Sequence, residues 1–186
     1  MNIKKIKRWF RNKIKIQPDN RLEIHSSTRI RGCEIFIKGK NNSLFIGENC
    51  NLRNMKIEIL GEDCTIHIGA GTVNTGSCKL SCRERGTTLT IGRDCLLAHN
   101  VMMLTSDGHD IYENGQRINH AENITIGNHV WISENVMVLK GAEIEQECVI
   151  GANSVVTGKH KRNTIAAGIP ARKIKDNISW NEKLTF

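Results

Sequence analysis

The chain has 186 residues, a formal net charge of +8 and 39% hydrophobic residues, and its length suits a single domain. Seven Lys and Arg and no acidic residue lie within the first 16 residues, so the rest of the chain is close to neutral. Basic charge confined to one end argues against a nucleic-acid partner. We expect neither a signal peptide nor a transmembrane segment, because no stretch is apolar enough.

The N-terminal segment, residues 1–20, is predicted to be a basic amphipathic element with a short helix. Ile, Trp and Phe side chains are interspersed with its cations, as in helices that lie on anionic membranes. The same apolar side chains also suit a cap over the first coil of a repeat structure, whose strand edges would otherwise be unpaired. Both roles remain open at the level of the sequence.

A repeated phrase built on an Ile-Gly pair follows this segment. Ile46, Ile68 and Ile91 open three such pairs, 22 and 23 residues apart, in the stretches LFIGENCNL, IHIGAGTVN and LTIGRDCLL. A weaker echo precedes them near residue 24. Three hexapeptides make one coil of a β-helix, so the extra residues are expected at the corners.

Six uninterrupted hexapeptides then run from Ile126 to Lys161: IGNHVW, ISENVM, VLKGAE, IEQECV, IGANSV and VTGKHK. An aliphatic residue leads every unit, and the first five have a compact residue four positions later. A period of six fits neither an α-helix nor an isolated strand, but it is typical of a parallel β-helix whose coils stack. We therefore predict an all-β solenoid of six or seven coils over residues 21–175, followed by a tail at 176–186.

The seven cysteines agree with this interpretation. Cys50, Cys64, Cys95 and Cys148 each occupy the compact position of a unit, where a free thiol behaves as a small buried hydrophobe. No CxxC pair is present, which disfavours a metal site. We expect reduced thiols, a cytoplasmic protein and no bound metal.

One long polar loop, residues 104–123, interrupts the repeat. It contains His109 and His120 together with several charged residues. The solenoid itself has no need of such an excursion, so its presence indicates a functional role. His109 directly follows the strand led by Met103, and we expect it to stand against the wall of the coil.

The ordered phrases MLTSDGHDI, RIN, ITIGNHVWISENVMVLKGAEI, VIGANSVVTG and AAGIPARKI resemble the hexapeptide-repeat acyltransferases of left-handed parallel β-helix fold. The resemblance is greatest to the maltose, galactoside and surface-polysaccharide O-acetyltransferases. It implies a homotrimer with active sites in the clefts between neighbouring coils. It also implies that acetyl-CoA donates an acetyl group to a sugar hydroxyl, here of a bacterial capsular or O-antigen polysaccharide or its precursor.

The resemblance places His109 at the catalytic histidine of the family. An imidazole that titrates near neutrality can remove the proton of the attacking hydroxyl and then protonate the departing thiolate. Asp107 is a candidate to orient this ring, although a backbone carbonyl would serve as well. Trp131 matches a family tryptophan that packs beside the thioester or the acceptor, and a trimer contact is its alternative role.

Further contacts follow from the same resemblance. Asn74 and Arg117 are candidate contacts to the acceptor. The coenzyme A site is expected to use small residues that let the pantetheine arm lie close to the strands, and cations that meet its phosphates. These positions are Gly141, Ala142, Ala152, Gly168, Pro170, Arg172 and Lys173.

Other classes of protein share parts of this sequence pattern. An N-acetyltransferase acting on a nucleotide-linked amino sugar would share the fold, the histidine and the coenzyme A site. A serine acetyltransferase would need a larger N-terminal domain. A zinc enzyme resembling γ-class carbonic anhydrase would draw on His99, His120 and His129, whose spacing does not match that family. A purely structural scaffold is the remaining class.

Membrane contact through residues 1–16 would place the enzyme at the inner face of the cytoplasmic membrane.

Overall fold

In a computed structural model, which describes residues 11–185, the chain winds into seven coils of a parallel β-solenoid. Each coil has three short strands, one in each of three sheets. The strands of the first four coils are β1 Lys13–Ile16, β2 Arg21–Ile24, β3 Arg29–Arg31, β4 Glu34–Lys40, β5 Ser43–Ile46, β6 Asn51–Arg53, β7 Met55–Glu62, β8 Thr65–Ile68, β9 Val73–Asn74, β10 Cys78–Arg85, β11 Thr88–Ile91 and β12 Leu96–Leu97.

The fifth coil contains the polar excursion, and the last strand pairs antiparallel with the strand before it. The remaining strands are β13 Val101–Leu104, β14 Tyr112–Glu113, β15 Gln116–Arg117, β16 Ile124–Ile126, β17 Trp131–Ile132, β18 Met137–Leu139, β19 Glu143–Ile144, β20 Val149–Ile150, β21 Val155–Val156, β22 Lys159–His160, β23 Ile165–Gly168 and β24 Ala171–Lys175. Only β14 and β15 lie outside the solenoid, as a small hairpin within the excursion.

Three sheets form the walls. Sheet A comprises β1, β4, β7, β10, β13, β18 and β21, and sheet B comprises β2, β5, β8, β11, β16, β19 and β22. Sheet C comprises β3, β6, β9, β12, β17, β20, β23 and the antiparallel β24. The coils turn at residues with positive φ, among them Asn49, Asp94, Asn135 and Asn153. Asn and Asp tolerate this left-handed conformation better than most residues, which explains their recurrence at the corners.

The core consists of columns of inward-facing side chains in register. Sheet A supplies one column and sheet B another, since parallel pairing places equivalent residues of successive coils directly above each other. The two columns are Ile14, Ile35, Ile57, Leu80, Met103, Val138 and Val156, and Ile24, Ile46, Ile68, Ile91, Ile126, Ile144 and His160. The leading aliphatics of the hexapeptides are therefore the core, as predicted.

The beginning of the solenoid differs from the prediction. Lys13–Ile16 is a strand paired with Glu34–Ile37, so the first coil starts at residue 13 and the predicted helix does not extend this far. Because Lys and Ile alternate there, the pattern also matches the period of a half-buried strand. The rest of that helix, with its proposed cap or membrane role, lies outside the described residues.

At this first coil the core is open. Ile14, Ile16 and Leu22 are only partly buried and line a cavity of about 860 Å³. The excursion at residues 104–123 is present as predicted. Within residues 11–185, no helix is long and apolar enough to cross a bilayer.

Replacing Ile57 with Ala should lower the free energy of unfolding by about 2–5 kcal/mol, because this fully buried side chain lies between Ile35 and Leu80 and a cavity would remain. Urea denaturation of the purified protein measures the change. The exposed, outward-facing Thr125 provides the control, and Thr125→Ala should stay within about 0.5 kcal/mol of the wild type. Equal losses in the two variants would contradict a column-based core.

Candidate active site

The polar excursion is fastened to the wall of the solenoid by a charge pair. Arg117 in the hairpin donates to both carboxylate oxygens of Glu84 on β10, each at 2.8 Å. Ser106 donates to the same carboxylate at 2.7 Å. Partial burial raises the pKa of Glu84, but the bonds from Arg117 and Ser106 outweigh this effect and leave that pKa lowered. Glu84 is therefore an anion at neutral pH and holds both ends of the excursion.

Asn119 organises the loop around His109. Its buried amide nitrogen donates to the Asp107 carboxylate at 2.9 Å and to the His109 carbonyl at 2.7 Å. Its amide oxygen accepts the backbone NH of Ile111 at 2.7 Å. One side chain thus contacts the carboxylate of Asp107 before His109 and the backbone of His109 and Ile111. The phrase RIN was recognised in the sequence, but nothing in the spacing indicated that its Asn reaches back across ten residues.

The environment of Asp107 differs from the prediction. Its Oδ2 accepts the Lys140 ammonium at 2.6 Å and the Asn119 amide, and the Lys140 bond is the main reason that the pKa of Asp107 is lowered. These contacts tie the excursion to the next coil, and they give no support to the predicted role of orienting the His109 ring. Asp107 positions the loop instead.

His109 itself lies on the exposed side of this loop. It follows Gly108, whose φ of +83° turns the chain in a way that a side chain would disfavour. Ser106 and Asp107 make the predicted contact with the wall, through Glu84 and Lys140, whereas the His109 side chain is exposed. An exposed ring on a fixed backbone is suited to receive a proton from a bound molecule.

Trp131 lies on the outer face of sheet C and is 37% exposed. Trp180, from the C-terminal tail, packs against it with ring centroids 5.9 Å apart. Trp180 also stacks on His129 at 4.2 Å and donates its indole NH to the His129 carbonyl at 2.8 Å. His129 in turn is bonded to Glu147 at 2.8 Å. The tail was predicted as a separate segment, and its role beside Trp131 was missed.

The predicted coenzyme A residues separate into two groups. Ala152, Gly168, Pro170, Arg172 and Lys173 are exposed on the last coil and its antiparallel strand. Lys173 is paired with Asp176 at 2.7 Å.

The other two positions belong to a turn of coil 6. Gly141 has a φ of +76°, and a Cβ there would lie 2.8 Å from the carboxylate of Glu122. Ala142 points into the core, and its backbone NH and carbonyl are bonded to Leu139 and Thr125. The coil therefore already uses both backbone hydrogen-bonding groups of Ala142.

The two predicted acceptor contacts are also committed to the protein. Asn74 is 3% exposed and bonds the backbone NH and carbonyl of Arg53, as well as the carbonyl of Gly76. Arg117 is occupied by Glu84 and by Asp110 at 2.9 Å. Both side chains stabilise the fold and the loop, and their contact with an acceptor stays a prediction.

The zinc alternative draws no support from the side-chain arrangement. His129 is engaged by Glu147 and Trp180, and His120 is exposed on the excursion. Among residues 11–185, no three His, Cys, Asp or Glu side chains gather as metal ligands would. All seven cysteines are free and buried.

Comparison with known proteins identifies relatives of this chain. Residues 123–158 match the family model described as bacterial transferase hexapeptide (six repeats). The polysialic acid O-acetyltransferase of Neisseria meningitidis is 34% identical, over 89% of this chain and 87% of its own length. The galactoside O-acetyltransferase of Escherichia coli K12 is 39% identical, over 48% of this chain and 44% of its own. The crystal structure of the polysialic acid O-acetyltransferase OatWY superposes with a TM-score of 0.67, at 30% identity over 94% of this chain and 92% of that one.

The chain belongs to the hexapeptide-repeat acyltransferase family. It is an acetyltransferase built on a left-handed parallel β-helix, as the sequence predicted.

Replacing Asn119 with Ala should loosen the loop at His109, because the His109 carbonyl and the Ile111 NH lose their partner. Ile111 is exposed, so its NH would turn to water, and the loss of one hydrogen bond, about 0.5–1.5 kcal/mol net, should accelerate exchange of the Ile111 amide roughly two- to tenfold. Hydrogen exchange followed by mass spectrometry measures this. Glu113→Ala, on the exposed hairpin of the same excursion, is the control and should leave exchange unchanged. Unaltered exchange in Asn119→Ala would contradict the organising role.

Replacing Trp180 with Ala should leave Trp131 free to move, since the neighbouring indole is lost. Aromatic pairs contribute about 0.5–1.5 kcal/mol beyond burial, so KM for one of the two substrates should rise roughly two- to tenfold. The fluorescence of Trp131 should shift to the red. Trp180→Phe, which can still stack on His129, should retain most of the wild-type KM. A normal KM and an unshifted Trp131 emission in Trp180→Ala would contradict this role.

Proposed function

We propose that the protein transfers the acetyl group of acetyl-CoA to a hydroxyl of a sugar in a bacterial capsular or O-antigen polysaccharide or its precursor. The observation that carries this proposal is His109, exposed on a loop in which Asn119 donates to the His109 carbonyl and Glu84 accepts the Ser106 hydroxyl. The relatives named as polysialic acid O-acetyltransferases, one of them 34% identical over most of the chain, support the class of acceptor.

In the proposed reaction, His109 takes the proton of the acceptor hydroxyl while that oxygen attacks the thioester carbonyl. The tetrahedral intermediate then collapses, the C–S bond breaks, and the thiolate of CoA takes the proton from the imidazolium. Proton and acetyl group both balance, so no acyl-enzyme is required. A neutral imidazole is a suitable base for this step near pH 7.

The loop contacts support this role through position. General base catalysis depends on the base lying within hydrogen-bond reach of the proton that it removes. The pairs Arg117–Glu84 and Lys140–Asp107 fasten the excursion to coils 4 and 6, so His109 is held from both sides. Small errors in such positioning cost large factors in rate.

The acetyl donor is proposed to lie along the last coils. Trp131 on β17 and Gly168 on β23 both belong to sheet C. One strand, β20, separates β17 from β23, so these two strands lie about 10 Å apart. The exposed cations Arg172 and Lys173 on β24 suit the phosphates of the nucleotide. The free, buried thiols fit a reducing, cytoplasmic setting.

A homotrimer is part of the proposal. Met102, Met137 and Val155 form an outward-facing column on sheet A, and Leu104 and Leu139 lie in register beside it. Outward apolar side chains on adjacent strands are typical of surfaces that pack against another subunit. A neighbouring copy here would form a cleft next to the excursion.

His109→Ala should reduce acetyl transfer by roughly a hundred- to ten-thousand-fold, the usual contribution of a general base. KM for acetyl-CoA should change little, because the imidazole acts on the acceptor. His120, exposed in the same excursion, provides a matched control, and His120→Ala should retain wild-type turnover. Near-normal turnover in His109→Ala would remove it from the mechanism.

The product distinguishes this proposal from transfer to an amino sugar, which the same fold and histidine would allow. An O-acetyl ester is cleaved by mild alkali, whereas an N-acetyl amide survives it. Radiolabelled acetyl-CoA incubated with the enzyme and polysialic acid should give label that mild alkali releases. Alkali-stable label on an amino sugar would support the N-acetyltransferase instead.

A further inference from the structure

The outer face of sheet A in coils 1–4 is strongly basic. Cations stand at outward positions of all four strands and outnumber the carboxylates there. The cations are Lys13, Lys15, Lys38, Lys40, Lys56, Lys79, Arg83 and Arg85, and the carboxylates are Glu34, Glu58 and Glu62. This surface is called the basic face below. The later strands of the same sheet carry apolar outward residues instead, so the charge is confined to one half of the wall.

The cations of this face are held in place. Glu58, whose side chain is only 12% exposed, lies 2.7 Å from Lys56, 3.2 Å from Lys79 and 3.8 Å from Arg83. Burial raises the pKa of Glu58, but the bonds from Lys56 and Lys79 outweigh it and leave that pKa lowered. One carboxylate therefore orders three cations on three neighbouring positions, and the surplus of positive charge remains.

A groove of about 280 Å³ lies on this face. Lys13, Lys15 and Lys56 line it together with the exposed ring of Phe36. Glu34 and Glu58 also line it and pair with Lys13 and Lys56, so one positive charge remains in surplus within the groove. An aromatic face beside fixed cations suits a ligand with both a ring that can pack on it and an anionic group. A sugar bearing a carboxylate has these two features.

The basic face continues to the active site. Lys13 on coil 1 is in register with Lys79 on coil 4, three strand spacings or about 14 Å away, and Arg83 lies four residues further along the strand that carries Lys79. Arg83 then lies beside the excursion, since a Cβ at Gly108 would be 3.8 Å from its Nη1. Gly108 directly precedes His109. The positive surface thus ends next to the proposed base.

We propose that the basic face binds an acidic polysaccharide and leads it to His109, so that the acceptor is a polyanionic chain and not a free monosaccharide. This rests on the proposed function and specifies its substrate. A track of three strand spacings is longer than one sugar unit, so only a polymer can contact Lys13 and His109 together. A concave groove with an aromatic ring and embedded carboxylates fits a glycan better than the flat surface of an anionic bilayer.

The test compares two sets of substitutions with equal loss of charge. The groove variant combines Lys13→Gln, Lys15→Gln and Lys56→Gln. The control variant combines Arg29→Gln, Arg31→Gln and Arg53→Gln, three exposed cations on sheet C of coils 1 and 2. Polysialic acid and the sialic acid dimer are the acceptors, and kcat/KM is measured for each.

The preference for polymer over dimer should fall roughly tenfold or more in the groove variant, because three exposed contacts to anionic groups are lost. It should stay within about twofold of the wild type in the control variant. Raising the ionic strength should reduce the preference of the wild type, since salt screens such contacts. An equal fall in both variants, or none in the groove variant, would overturn the proposal. If the triple variant does not fold, Lys15→Glu alone tests the same surface and leaves the ion pairs of Glu58 intact.

Two further measurements separate the possible failures. Binding of polysialic acid by His109→Ala, measured by calorimetry without acetyl-CoA, does not depend on turnover. Binding that requires the groove lysines, in a protein that acetylates no glycan, would refute the proposed function and leave the basic face as a glycan site. Loss of binding to phosphatidylglycerol vesicles by the groove variant, with an unchanged polymer preference, would assign the face to a membrane and overturn the proposal.

Discussion

The whole structure depends on parallel pairing between successive coils. Each coil forms its strand hydrogen bonds with the coils before and after it, and this pairing fixes which side chains lie above one another. The buried columns, the corners built on Asn and Asp, and the outward columns of sheet A all follow from one register. The candidate active site lies where the excursion of coil 5 departs from this scaffold.

The solenoid could be predicted because its information is periodic. Leading aliphatics six residues apart identify the inward positions wherever the repeat is regular, and the structure places Ile126, Val138 and Ile150 in the core. The first strand was missed because Lys13–Ile16 has an alternating pattern within a strongly basic segment, which equally suits an amphipathic helix. Local pattern alone did not distinguish these two structures.

The residues around the site were harder to predict for a different reason. Glu84 meets Arg117 and Asp107 meets Lys140, in both cases across 33 residues. That separation is one coil plus part of the excursion, and it corresponds to no repeat in the sequence. Asp107 was singled out as a partner for the His109 ring, whereas its partner in the structure is the Lys140 ammonium on the next coil. The burial of Asn74 was not foreseen because a polar residue in an inward column looks, in the sequence, like one that faces solvent.

A stack of coils has two ends, and thermal fraying starts there because an end coil has a neighbour on one side only. Coil 5, which bears the excursion, has four coils before it and two after it. The basic face and the last coils extend toward opposite ends. Partial melting would thus reach the surfaces proposed to bind the two substrates before it reaches the loop that holds His109. In such a protein, warming should weaken substrate capture before it disables the chemical step.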